Sequence, residues 1–150
     1  MAIQNIFRGL GIALITPFTA QGEVDYNTLA NLVEYQITNG ADFLCILATT
    51  AEAPCLTKEE KNKITEFIKT VNKGRVPVLK YCGGNNTQAV VEEIRSGDWS
   101  GIDGILSICP YYNKPSQEGL YQHFKAIAKV SPKPIVLYNV PGRTGVNMTA

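Results

Sequence analysis

Short apolar runs alternate along this chain with stretches in which apolar residues recur every three or four positions. Leu10 to Phe18 is an apolar run closed by Pro17. Leu29, Leu32, Val33 and Ile37 follow at helical spacing, which predicts a helix over Tyr26 to Thr38, with Asp25 as N-cap and Gly40 as stop. Phe43 to Ala48 is continuously apolar, as a strand covered on both faces should be. Thr57 with Glu60 three residues later is a capping-box pattern ahead of Ile64, Phe67, Ile68 and Val71, and Gly74 marks the end of that helix.

The alternation then repeats. Val76 to Cys82 reads as a strand, Thr87 to Ser96 as a helix carrying Val90, Val91 and Ile94, and Ile102 to Cys109 as a strand ending at Pro110. Ser116 opens a helix through Leu120, Phe124, Ile127 and Ala128, and Pro134 to Val140 is the last strand. Units recurring every ~30 residues predict parallel strands joined by right-handed crossover helices. An open doubly wound sheet and a (β/α)8 barrel both fit that order. The absence of G-x-G-x-x-G after the first strand weakens a nucleotide-binding open sheet. Both architectures remain open on this pattern alone; read as a barrel of the α/β (β/α)8 TIM-barrel family, residues 1–150 form a single partial domain from the first strand to the fifth. A half barrel has two open strand edges and an uncovered inner face, which invite pairing with another chain.

Composition narrows the partners. A hydrophobic content of 45%, 18% charged residues and a formal net charge of +1 describe a globular chain with no electrostatic case for nucleic acid or an anionic membrane. No run approaches the ~20 apolar residues of a membrane helix, and no signal peptide is legible, so a cytoplasmic location is expected. Cys45, Cys55, Cys82 and Cys109 form no C-x-x-C pair, which argues against a metal site. Three of them fall in strand-like runs and read as small buried hydrophobes. Glu52, Glu118 and His123 read as surface or capping residues, and Gly83-Gly84 as a loop.

Candidate chemistry gathers where barrel enzymes keep it, at the C-terminal strand ends. Thr16 follows the first run, Thr49 and Thr50 the second, Tyr111, Tyr112 and Asn113 the fourth, and Tyr138 and Arg143 stand at the fifth. Hydroxyls and one fixed cation suit proton relay and the binding of a small carboxylate, which an arginine fork matches with two hydrogen bonds. Each residue also has a plainer reading: a turn pair for the threonines, interface or core aromatics for Tyr111 and Tyr112, a buried strand tyrosine for Tyr138, and a loop charge for Arg143.

ITPF at 15–18, TTAE at 49–52, PYYNKPSQEGLYQHFKAIA at 110–128 and YNVPGRTG at 138–145 together resemble the dihydrodipicolinate synthase (4-hydroxy-tetrahydrodipicolinate synthase) family of Schiff-base aldolases. The resemblance runs through essentially the whole chain. It implies a lyase that condenses pyruvate with aspartate semialdehyde in lysine biosynthesis, without a cofactor and as a homo-oligomer, dimer or tetramer. It implies Thr49, Tyr112 and Tyr138 as proton-relay hydroxyls, Tyr112 acting across a dimer contact. Thr50 would hold the pyruvate carboxylate, and Arg143 would meet the carboxylate of the second substrate. The family's imine-forming lysine lies on strand six, past Ala150, so the isolated 150-residue chain is expected to be inactive.

Some positions depart from the family's pattern. Ala48 replaces a glycine, and Lys80-Tyr81-Cys82 replaces small residues. Lys80 is either a low-pKa amine able to form an imine or a side chain that snorkels outward. Asn85 and Tyr111 keep a possible allosteric lysine pocket, but Lys58 and Ala89 alter it. Weak or no inhibition of the complete enzyme by lysine is expected; strong inhibition at millimolar lysine would contradict this. The alternatives are a non-catalytic or engineered half-barrel assembly module, an engineered aldolase that uses Lys80, or a related pyruvate aldolase.

Overall fold

A computed structural model describes residues 6–149, arranged as two compact units, Met1–Lys80 and Tyr81–Ala150. The first unit carries β1 (Gly11–Ala13), α1 (Tyr26–Thr38), β2 (Phe43–Ile46), α2 (Lys58–Asn72) and most of β3 (Val78–Tyr81). Its strands are parallel and adjacent, with Ile12 beside Leu44 and Leu44 beside Val78. Leu44 and Ile46 are fully buried and Val78 nearly so, as are Leu29 and Val33 of α1 and Ile64 and Ile68 of α2. Burying each such side chain contributes roughly 1.5–3 kcal/mol. Gly11 permits a close approach within this layer, because a Cβ there would collide with the Phe43 ring.

The predicted caps are present. Asp25 accepts from the Thr28 hydroxyl at 2.6 Å and from its amide at 3.0 Å, which together hold its carboxyl below the usual value. Thr57 and Glu60 close both halves of the capping box, at 3.2 and 2.7 Å. The helix they open ends at Asn72 with Gly74 just past its C-cap, the same offset as between Thr38 and Gly40 in α1. Lys73 takes the left-handed conformation (φ 52°) and donates to the Lys69 carbonyl, with Gly74 following in the same region.

The first strand is much shorter than Leu10–Phe18. After Leu14 donates to the Cys45 carbonyl the ladder stops: Pro17 has no N–H, and Phe18 turns to make an isolated antiparallel bridge with Val24. The second strand also stops early, at Ile46, because Leu47 adopts φ 57°. Two 3-10 turns that the sequence pattern did not predict, Thr49–Ala51 and Ala53–Cys55, lead from there to α2.

The second unit begins at Tyr81, the last residue of β3, and carries α3 (Thr87–Ser96), β4 (Gly104–Ile108), α4 (Gln117–Val130), β5 (Ile135–Tyr138) and α5 (Pro141–Thr144). β4 and β5 are parallel, Ile105 beside Ile135 and Ile108 beside Tyr138. Its core is Val90, Val91 and Ile94 from α3, Ile105 from β4, and Leu120, Phe124 and Ile127 from α4. Trp99 is buried as well, its indole N–H donating to the Ile94 carbonyl at 2.8 Å. The Pro-Gly pair after β5 starts the single helical turn α5, since proline at the first helical position needs no N–H partner.

His123 is not a surface residue. It is 3% exposed, and its Nδ1 pairs with the Thr87 hydroxyl at 2.8 Å. The helical spacing puts it on the same face of α4 as Leu120 and Ile127, which its polarity masked. Burial lowers its pKa from 6.5, because a charged imidazole loses its hydration there. The folded chain therefore binds fewer protons at this site than the unfolded chain. The stability this contributes is present above about pH 6.5 and is lost as the pH falls through the lowered folded value. Urea titrations across that range should show a steeper acid decline for the native sequence than for His123→Gln. Parallel declines would show that the imidazole is not responsible.

Among the described residues, no helix is long and apolar enough to cross a membrane. An open groove of about 840 Å³ runs between α4 and β5, lined by Leu120, Tyr121, Phe124, Ile135, Leu137 and Met148. It contains none of the polar strand-end residues.

Candidate active site

In the first unit the chemistry rests on the turn after β2. Thr49 and Thr50 are exposed on the 3-10 turn, while Ala48 and Ala51 on either side are buried. Thr16 is buried as well, and its hydroxyl donates to the Ala51 carbonyl at 2.8 Å. A pair of exposed threonines on a fixed turn can offer an anion two hydroxyls and nearby backbone N–H groups.

Lys80 is half-buried and sits beside Ile46, on the strand face it shares with Val78. Ile46 and Val78 are almost wholly covered. Successive strand residues point to opposite faces, so Tyr81 projects the other way. Cys45 is buried, and loss of hydration pushes its thiol up to about 11, which keeps it protonated at neutral pH and unsuited to nucleophilic work. Cys82 and Cys109 are buried too, and only Cys55 is exposed.

In the second unit the Cys82 amide donates to the Leu106 carbonyl at 3.0 Å, which sets Tyr81 beside Leu106. Leu106 pairs with Val136, and Ile108 with Tyr138. Tyr81 and Tyr138 therefore project from the same strand face, opposite the one on which Ile135 and Leu137 line the groove. Tyr81 donates to the Gly83 carbonyl at 3.2 Å. Its phenol is pushed well above the usual value, chiefly by burial, with Tyr111 and Tyr138 adding to the effect.

Tyr138 is half-buried, and Arg143 follows it on α5, with its side chain exposed. That short helix is held by a polar network the sequence reading did not identify. The Thr144 hydroxyl lies 2.9 Å from the Val146 carbonyl and 3.2 Å from the Val140 carbonyl, with its one proton available to either. Asn139 accepts from the Met148 amide and donates to Asn147. Gln117 of α4 binds Asn147 and Thr149. Asn139 and Asn147, flanking the Pro-Gly pair, were the available signal.

The segment after β4 takes a different course. Tyr112 and Lys114 both have left-handed backbone, with φ 72° and 49°. Tyr112 is 88% exposed and Tyr111 40%. Asn113 is joined to Asn85 by two hydrogen bonds, of 3.2 and 2.9 Å. Asn85 and the Tyr111–Asn113 segment are thus brought together, whereas the Tyr112 ring reaches outward. Among the described residues no group of three or more His, Cys, Asp or Glu side chains is placed to hold a metal ion.

Parallel βα units with hydroxyls and an arginine at the strand ends define an α/β chain of the (β/α)8 barrel family, here four and a half units long. The chain belongs to the dihydrodipicolinate synthetase family, whose model matches residues 6–150. It is 58% identical over 148 residues to the 4-hydroxy-tetrahydrodipicolinate synthase of Phocaeicola vulgatus, covering 99% of this chain and 50% of that protein. Among solved structures it is similar to dihydrodipicolinate synthase from Thermotoga maritima, with a TM-score of 0.90 at 43% identity, over 95% of this chain and 48% of that one. A monomeric dihydrodipicolinate synthase variant matches equally well, with a TM-score of 0.90 at 43% identity, over 95% of this chain and 47% of the other. The chain thus spans about half the length of the curated relatives it matches.

Proposed function

We propose that these residues form part of a 4-hydroxy-tetrahydrodipicolinate synthase, a lyase that condenses pyruvate with L-aspartate 4-semialdehyde on the route to lysine. The observation that carries this reading is the 58% identity, across 99% of the chain, to a relative of that name. Pyruvate forms an imine with a lysine, losing water. The imine gives up a proton to become an enamine, which attacks the aldehyde carbon of the semialdehyde, and cyclisation follows. In this reading the lysine belongs to strand six, beyond β5.

Thr49, Tyr112 and Tyr138 move protons through their hydroxyls, Thr50 holds the pyruvate carboxylate, and Arg143 receives the carboxylate of the second substrate. The exposure of Thr50 and Arg143 suits contact with incoming anions. The 88% exposure of Tyr112 suits a hydroxyl lent to a second copy of the chain, so the working protein is a homo-oligomer, at least a dimer. Asn85 and Tyr111 belong to a separate effector pocket. Lys80 takes no part in the chemistry, because it stands on the strand face of buried Ile46 and Val78, with Tyr81 on the other.

The test is borohydride reduction in the presence of pyruvate, read by intact mass and peptide mapping. The full-length protein should trap a reduced pyruvyl adduct outside residues 1–150 and consume aspartate semialdehyde. The 150-residue chain alone should trap none. An adduct on Lys80 would overturn the assignment of the amine, and no adduct in the full-length protein would overturn the reaction.

A further inference from the structure

The turn that presents Thr49 and Thr50 is bracketed by left-handed, non-glycine backbone, Leu47 at φ 57° and Glu52 at φ 52°. Leu47 is 3% exposed, so a bulky side chain is held in this conformation inside the core. Such positions persist only where the surroundings over-determine them. The turn's own backbone bonds are short-range, Ala51 to the Ala48 carbonyl at 3.0 Å and Glu52 to the Thr49 carbonyl at 3.1 Å. The hydroxyl of Thr16 reaches the same turn from 35 residues away, donating to the Ala51 carbonyl at 2.8 Å with both residues buried. A hydroxyl has one proton to give, and this one goes to the turn.

We propose that Thr16 is a positioning residue, which fixes the orientation of Thr49 and Thr50 by anchoring the carbonyl at the end of their turn. This rests on the functional reading above, in which the threonine pair handles pyruvate. Thr16 touches no substrate. It selects one arrangement of a turn whose strained ends would otherwise relax toward others. Valine at position 16 has the same shape but leaves the buried Ala51 carbonyl without its donor. Serine keeps the donor and loses only a methyl group.

The experiment compares Thr16→Val, Thr16→Ser and Thr49→Val in the full-length protein. Each is assayed for kcat and KM for pyruvate, with amide exchange followed at Ala51 and Glu52. Thr16→Val should lower kcat/KM for pyruvate by roughly 10- to 100-fold, the scale of a small misplacement of site groups. It should also speed exchange at both amides, and Thr16→Ser should restore both. Native kinetics in Thr16→Val alongside a crippled Thr49→Val would overturn the positioning role and leave the reaction standing. Full activity in Thr49→Val would instead remove the turn from the chemistry. If the valine variant does not fold, Thr16→Cys, a weaker donor, should fall between serine and valine in both readouts, and native values for it would overturn the proposal.

Discussion

Replacing Tyr138 with phenylalanine is expected to lower turnover in the full-length protein by roughly 10²- to 10³-fold, within the range that positioned acid–base groups contribute. The substitution removes one oxygen and keeps the ring. Tyr138 ends β5 beside Ile108, half-buried on the face shared with Tyr81, so the phenylalanine ring has the same packing available. Its backbone carbonyl, which accepts from the Cys109 amide at 3.0 Å, is untouched. The loss should therefore appear in kcat, with a smaller change in KM for pyruvate and an unchanged circular dichroism spectrum. Turnover within a few-fold of native would mean that the hydroxyl moves no proton in the slow step.

The largest effect on stability is expected from Leu44→Ala. Leu44 is wholly buried at the centre of β2, with Ile12 on one side and Val78 on the other. Truncation there removes apolar contacts and leaves a cavity that strands on both sides keep from collapsing, at a cost of about 2–5 kcal/mol. Against the 5–15 kcal/mol that holds a typical domain together, such a loss approaches unfolding. Urea titration should show a lower midpoint with an unchanged slope. A midpoint within experimental error of native would mean that the first unit's core lies elsewhere.

The helices were legible because their signals are local. Tyr26–Thr38 and Thr87–Ser96 match the periodic pattern at both ends, since cap residues and apolar spacing act over one or two turns. Strand lengths were less legible, because a ladder ends where a partner or a backbone angle ends it. Leu47 carries no sequence mark of its left-handed conformation, and β2 stops there. Thr49, Thr50 and Tyr138 stand out as candidates because polar residues closing apolar runs differ from their neighbours, and Arg143 because it follows closely on such a run. Thr16 and Ala51 meet across 35 residues, and no local pattern records such a bond. Lys80 and Tyr81 show a further limit: as neighbours on a strand they face opposite ways, and only register tells which face holds the core. His123 was misread because a buried polar side chain looks like any polar residue until its partner, Thr87, is known.

The distribution of thiols has a practical consequence. Cys45, Cys82 and Cys109 are shielded, while Cys55 lies open at the end of the 3-10 turn that follows Glu52. A maleimide dye applied to the folded protein would therefore attach, within residues 6–149, at a single address. That address lies four residues beyond the Ala51 carbonyl to which Thr16 is bonded. The dye's emission would report in real time whether the neighbouring threonine turn is still or in motion.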